Sequence, residues 1–471
     1  MDLLAAARRE MIEQGFEPDF PPAALEQARR ITVAADPSLR DLTGLPWSSI
    51  DNDDSRDLDQ IEWAERTPEG IRVRVAIADV DAAVPRGTEI DCYAARETTS
   101  VYTHIHTFPM LPERLSTDLT SLAEGEDRAA IVIEFVVAAD GAIGGHSVSR
   151  ALVRNRARLA YSSAGPWLEG TAAPPTGDAE MQAQLKLQDE AAQALRAARH
   201  RLGALSFDRQ ELQPVLDGHQ VKDIATRRSN RAAHLIEDFM IAANEVMAQT
   251  LSAAGVSSIR RVVKAPERWA RIADLAEHYG EKLPPEPDAG ALNAFLLRRK
   301  QADPVHYPDL SLSVLKLMGP GEYVLLRPGD DAPGHFGLAA HDYTHSTAPN
   351  RRFADLVTQR LLKSIGGPAP YPDPELDAIA RNCTLKEDAA RKVERNMMKR
   401  LAAVALSNRI GETFSAVVTG VVPKGVFVRV LDPPVEGRLM RGESGLDVGD
   451  RLRVRLLSAD PERGFIDFAR V

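Results

Sequence analysis

The sequence predicts an α+β protein: a large mixed α/β body, a small helical N-terminal element before it, and an all-β segment at its C-terminal end. Three observations carry this. Residues 3–33 hold two runs of helical period separated by Gly15-Phe16-Glu17-Pro18-Asp19. The long middle of the chain mixes period-two stretches with extended helical runs. From Gly411 the pattern changes to short alternating stretches that turn at glycine. The expected divisions are 1–45, 46–408 and 409–471.

The elements follow in order. Leu3–Gln14 and Pro22–Val33 read as helices. Ile71-Arg72-Val73-Arg74-Val75-Ala76-Ile77-Ala78 alternates and reads as a strand, and Ala129–Asp140 as a long apolar strand. Gly141 opens a turn into a strand over Ser147–Leu159. Residues 163–178, rich in Ser, Gly and Pro, predict a loop. Helices are expected at about 179–201 and 228–254, and 283–288 is another loop. Phe353, Leu356, Val357 and Leu361 recur at helical spacing, with Pro349 before and Gly366 after, so Arg351 and Arg352 are expected in a first helical turn. A helix over Leu376–Ser407 ends the body. Phe414–Val430, Glu436–Leu439 and Val448–Arg455 supply the final strands.

Composition sets bounds. The chain has 471 residues, 44% of them hydrophobic, enough for two or three domains with a large core. No stretch approaches the ~18 consecutive apolar residues of a membrane span. Met1-Asp2-Leu3-Leu4 lacks the basic region of a signal peptide. The two cysteines, Cys92 and Cys383, lie far apart in sequence, as in a reducing compartment. A cytoplasmic monomer is expected. The net charge of −10 excludes general polyanion binding over the whole surface but permits a basic channel inside an acidic shell.

The densest chemistry lies between residues 51 and 65. Asp51, Asp53, Asp54, Asp57, Asp59, Glu62 and Glu65 crowd together. Carboxylates so close repel unless a cation neutralises them, and hard oxygen donors suit Mg²⁺, Ca²⁺ or Mn²⁺. Asp51, Asp53, Ser55, Asp57, Asp59 and Glu62 also fall at the ligand positions of an EF-hand. That loop requires a glycine where Arg56 stands and a helix on each side, whereas a strand follows here. A solvated acidic loop is the other bland reading. His104, His106, His335, His341 and His345 lack the Cys partners and helix spacing of a zinc site.

Ile50-Asp51 followed by Asp57-Leu58-Asp59-Gln60 resembles the acidic signature of the RNase II (RNB-domain) exoribonuclease family. Asp51, Asp57 and Asp59 match its first three aspartates, and Gln60 stands where the family has a fourth. Further blocks match in order: Thr99-Ser100-Val101-Tyr102 with Phe108–Pro112, Leu115-Ser116 and Ser121-Leu122; His234–Asn244; His335–Leu338 with Tyr343–Leu356; and Val393-Glu394-Arg395. The resemblance covers most of residues 40–400. The segment from Gly411 resembles the S-one RNA-binding domain, an OB-fold barrel.

The resemblance implies an RNB catalytic domain that hydrolyses single-stranded RNA processively from its 3′ end to 5′-nucleoside monophosphates. Two Mg²⁺ ions, for which Mn²⁺ could substitute, would be held by Asp51, Asp57, Asp59 and Gln60. Asp59, Arg351 and Glu394 would be catalytic, and Tyr102 would stack on a base. Arg351, Arg352 and Phe427 would contact RNA. The N-terminal helices, expected to be helix-turn-helix-like, stand where relatives carry cold-shock domains. The alternative is a catalytically impaired homologue that serves as an RNA-binding or regulatory module. Survival of Asp51, Asp57, Asp59, Arg351 and Glu394 favours the enzyme.

Overall fold

The computed structural model describes residues 2–33, 36–207, 211–217, 220–304 and 306–471, and the counts and absences below refer to these. Its helices are α1 (Leu3–Glu13), α2 (Pro22–Arg30), α3 (Glu89–Glu97), α4 (Tyr161–Leu168), α5 (Ala179–Arg201), α6 (Arg231–Ala253), α7 (Trp269–His278), α8 (Ala289–Ala302), α9 (Tyr307–Leu317), α10 (Phe353–Lys363) and α11 (Asp373–Leu406). The strands of the body are β1 (Arg40–Asp41), β2 (Trp47–Asp51), β3 (Gln60–Thr67), β4 (Gly70–Ala78), β5 (Val101–Tyr102), β6 (Thr107–Phe108), β7 (Asp127–Val137), β8 (Ile143–Ala160), β9 (Glu211–Asp217), β10 (Gln220–Arg227), β11 (Ser258–Val262) and β12 (Glu322–Leu326). The last five are β13 (Thr413–Val422), β14 (Gly425–Val430), β15 (Glu436–Arg441), β16 (Arg451–Asp460) and β17 (Phe465–Arg470).

The body is built on a sheet of order β1-β8-β2-β3-β4-β7. The long strand β8 pairs along its first part with β7, antiparallel, and along its last part with β2, parallel. Both ends of the strand series β2-β3-β4-β7 are therefore covered by one strand, which leaves little edge for unwanted pairing. Strand alternation sends residues to two cores. Trp47, Ile61, Trp63 and Ala76 meet α2, α3, α10 and the start of α11 on one face. Ile50, Ala64, Val73 and Val75 meet α4, α5 and α6 on the other.

The N-terminal helices go to different places. The Asp2 carboxylate caps α1 by accepting from the Ala5 amide at 3.0 Å. Ala6, Ala7 and Met11 of α1 then pack with Val393 and Met397 of α11. Ala24 and Ala28 of α2 join the sheet core instead, and α2 stops at Arg30, short of the expected Val33. Among the described residues no helix is long and apolar enough to cross a membrane.

At the C-terminal end β13-β14-β15-β17-β16 form a closed barrel, the OB-like architecture expected. Val426, Val428 and Val430 alternate into its core, and Leu401, Ala402, Ala403 and Leu406 at the end of α11 complete that core together with Ile224 of β10. The barrel is thus fused to the body through shared apolar packing.

The residues 163–178 were expected to form a loop, but the first of them continue α4 through Leu168 in spite of Pro166. Proline removes one helical hydrogen bond. Burial of Ala164 and Gly165 against α6 outweighs that loss, with Trp167 and Leu168 packed on the same core. Gly165 is required by contact: a Cβ there would lie 2.2 Å from Asn230 Cγ. Asn230 is the N-cap of α6, accepting from Ala233 N at 3.0 Å and donating to the Tyr161 carbonyl at 2.7 Å. Gly165→Ala should therefore lower stability by roughly 1–3 kcal/mol through overpacking. Urea unfolding checks this, and a change within error would show that α4 yields without cost.

Candidate active site

The acidic segment runs from the end of β2 to the start of β3, so strands flank it and the EF-hand alternative is excluded. The loop is fastened from beneath. Leu58 N donates to Ser121 Oγ (3.1 Å), which donates in turn to the Arg56 carbonyl (2.8 Å), and Leu122 N donates to the Leu58 carbonyl (2.9 Å). Ser121-Leu122, an inconspicuous pair in the sequence, sets the path of the loop.

This path buries Asp59 to 3% exposure. Its Oδ1 accepts from Asn350 N at 3.1 Å, and its Oδ2 lies 3.5 Å from Arg351 Nε. Burial pushes the Asp59 carboxyl up to about 7; Arg351 opposes the rise and Asp57 adds to it. Asp57 is also raised by burial, with Arg351 again opposing and Asp51 contributing. The cluster is therefore linked by charge from Asp51 to Asp57 and from Asp57 to Asp59. Asp51 Oδ1 accepts from Asn52 N at 2.7 Å and Ser55 Oγ at 2.9 Å.

Gln60 opens β3, half-buried. Two residues on and on the same strand face, Glu62 has no exposed surface, and neither of its carboxyl oxygens has a hydrogen-bond partner among the described residues. Burial raises its pKa well above the ordinary value, and Asp51 adds to the effect.

Arg351 and Arg352 are not in the first turn of α10: Arg352 is its N-cap and Arg351 precedes it. Their fates differ. The Arg351 side chain is 43% exposed beside Asp59. Arg352 forms a two-point ion pair with buried Asp355, at 2.9 and 2.8 Å. Burial works against the Arg352 charge, and Asp355 more than offsets it. Asp355 also accepts from Ala348 N at 2.8 Å, so the Arg352–Asp355 pair shapes the turn that carries Arg351.

Tyr102 reaches the same place from β5. Ser100 N donates to the Arg351 carbonyl at 3.0 Å, tying β5 to the arginine turn. Tyr102 N donates to Glu394 Oε1 of α11 at 3.2 Å. The ring is 37% exposed. Burial raises its hydroxyl pKa, and Arg351, Asp57, Asp59 and Asp51 all act on it, so the ring borders the acidic cluster. A second aromatic does the same: Tyr161, raised by burial and then by Asp51 and Glu62. In the sequence it falls between the strand expected to end at Leu159 and the loop expected from Ser163, where nothing marks it.

Phe427 lies more than 30 residues beyond these groups, on the outer face of the barrel. Its neighbours Val426 and Val428 are buried, whereas Phe427 is half-exposed. It is flanked by Gly420 on β13 and exposed Arg438 on β15. Arg451, Arg453 and Arg455 are exposed along β16. The histidines do not gather into a metal set. His345 is half-buried, bonded through Nδ1 to the Tyr323 hydroxyl at 2.8 Å, and desolvation together with Arg352 and Arg261 holds its pKa well below the ordinary value.

The donor chemistry fits a hard divalent cation: Asp57 and Asp59, whose carboxyls burial and neighbouring acids push up, and a buried acid, Glu62, whose carboxyl oxygens have no partner among the described residues. Among the described residues no three acidic, histidine or cysteine side chains already converge at ligand distance. Asp51 and Asp59 spend oxygens on amides, a hydroxyl and Arg351 instead.

The fold and site together define a class, and comparison with known proteins agrees. The RNB domain model matches residues 39–366, and a model of the RNase II-type exonuclease C-terminal S1 domain matches 412–471. The chain belongs to the RNB-domain family. Ribonuclease R of Thermotoga maritima is 30% identical over 96% of this chain and 68% of its own length. Ribonuclease R 1 of Lactococcus lactis is 29% identical over 89% of this chain, which spans 55% of that relative. Mycoplasma genitalium RNase R, solved with double-stranded RNA, superposes with a TM-score of 0.89 at 26% identity over 100% of this chain and 83% of that one. Solved with ribose-methylated single-stranded RNA it gives a TM-score of 0.91.

Asp59 provides a test by pH. A carboxyl whose folded pKa is raised from 3.8 to about 7 holds a proton that the unfolded chain has released. Stability therefore falls as pH rises from about 4 to about 7 and is then level. In EDTA, Asp59→Asn should stabilise the chain more at pH 8 than at pH 5, by an increment on the order of a few kcal/mol at most. Thermal melts at the two pH values check it; an equal effect at both would mean that Asp59 is ionised in the metal-free fold throughout.

Proposed function

We propose that the protein is a divalent-metal-dependent exoribonuclease that removes nucleotides from the 3′ end of single-stranded RNA as 5′-nucleoside monophosphates. The observation that carries this is the buried Asp59, held between the acidic loop and Arg351, with Tyr102 at the rim. Two Mg²⁺ ions, replaceable by Mn²⁺, are the cofactors. Asp51, Asp57, Asp59 and the Gln60 amide oxygen would hold them. When bound, such ions supply Lewis-acid charge to the phosphate and activate the attacking water.

The chain's own groups do the rest. Arg351, exposed and next to Asp59, neutralises charge that builds on the scissile phosphate. Tyr102 stacks on a terminal base, a contact that tolerates any sequence. Glu394 holds the Tyr102 backbone by accepting its amide, and so fixes the ring. Arg352, engaged by Asp355, acts as a positioning residue for Arg351. Phe427, with Arg438 beside it, gives the barrel a stacking and phosphate-binding face away from the site. Contacts to 2′-hydroxyls would distinguish RNA from DNA. A monomer in the cytoplasm is the form proposed.

End-labelled RNA tests the activity. Stepwise shortening from the 3′ end with Mg²⁺, and none in excess EDTA, is expected; internal cuts would sink the proposal. Asp59→Asn should abolish turnover but leave RNA affinity within a few-fold, because phosphate contacts elsewhere dominate binding. A wild-type chain that binds RNA and never shortens it would favour the regulatory-module reading.

The barrel is better tested by a point change than by deletion, since removing it would strip the end of α11. Phe427→Ala should weaken RNA binding by about 1–3 kcal/mol and leave single-nucleotide turnover at saturating RNA unchanged. Unaltered affinity in a fluorescence titration would remove Phe427 from the RNA path.

A further inference from the structure

Gln60 leaves the cation site one negative charge short of the four-aspartate pattern that the acidic segment resembles. The nearest acids in the loop do not make up the deficit. Asp53 and Asp54 are exposed, and Asp53 Oδ1 accepts from Ser162 Oγ at 2.6 Å. Glu62 is different in every respect. It is fully buried, its carboxyl oxygens have no hydrogen-bond partner among the described residues, and it follows Gln60 by two residues on one strand face.

A buried carboxyl without a partner is costly, and native folds keep one only where something compensates it. The polar atoms around it offer no cation. Ser48, its cross-strand neighbour on β2, has an unpartnered Oγ, and Gln188 of α5, whose amide nitrogen lies 3.4 Å from the Glu62 carbonyl, has an unpartnered Oε1. Both are oxygens, so the enclosure is a set of hard donors.

We propose that Glu62 is a further residue of the cation site, supplying from the buried side of β3 the negative charge that Gln60 lacks. The inference rests on the metal-dependent reading given above. In this arrangement a cation held where β2 ends and β3 begins neutralises the Glu62 carboxylate, which nothing else among the described residues compensates. The loss of an aspartate at position 60 and the presence of a glutamate at 62 are then one feature of the site.

The test is calorimetric titration of Mn²⁺ into the full chain without RNA, for wild type, Glu62→Gln, Gln60→Asp and the double variant. Glu62→Gln should weaken Mn²⁺ binding by roughly 10–100-fold, the range for loss of a group that supports a metal ligand, while its melting temperature in EDTA does not fall. Gln60→Asp in the Glu62→Gln background should recover most of that loss. Gln60→Asp alone should gain little, because the charge is already present; a gain of tenfold or more overturns the proposal even if Glu62→Gln fails to fold. Wild-type Mn²⁺ affinity in a folded Glu62→Gln overturns it while leaving the cation site intact. No Mn²⁺ binding by the wild type removes the metal-dependent reading itself, and this proposal with it.

Discussion

A carboxylate buried to 3% exposure with one guanidinium at 3.5 Å is the constraint around which the body is organised. Asp59 cannot be hydrated where it sits, so the fold must bring donors to it. Asn350 N and Arg351 arrive on a turn whose shape depends on Asp355, which binds Arg352 and the Ala348 amide. That turn in turn anchors β5 through the Arg351 carbonyl, and β5 is held on its other side by Glu394. Asp59 thus stands at the meeting of four segments: the acidic loop, the arginine turn, β5 and α11.

Much of this was legible in the sequence. Alternation marked β4, β7 and the barrel strands, and helical spacing marked α10 and α11 within a few residues. The acidic run and Arg351 were conspicuous because charge of one sign at high density has few structural uses. What escaped notice depends on tertiary packing. Gly165 and Pro166 signal a turn locally, and only burial against Asn230 makes them helical. Arg351 and Arg352 look alike in sequence, yet the i,i+3 spacing to Asp355 commits the second to an internal pair. Glu62 reads as one acid among seven until the strand geometry shows it turned inward, and Tyr161 falls between two expected elements with no local signal of its own.

The charge distribution answers how an acidic chain could approach a polyanion. The net charge of −10 is an average over the whole molecule. Many acids are spent on internal partners, such as Asp189 with Arg231 and Asp238 with Arg196. Exposed arginines on β15 and β16, by contrast, share the outside of the barrel with Phe427. Local potential, not the sum, governs where a phosphate chain can settle.

The bridging of β2 and β7 by the single strand β8 bears on synthesis. Asp51 sits in register with Ala160, Asp59 meets an amide 291 positions later, and Tyr102 is tied to a carboxylate 292 positions later. Contacts so remote in sequence are slow to form, since the chain between them must first be ordered. A ribosome releases the N-terminal part first, so a partly made chain holds the acidic loop without the arginine turn or α11. The acidic site would be assembled only when nearly the whole body has emerged. Until then a nascent chain carries its aspartates without the groups that hold them in place.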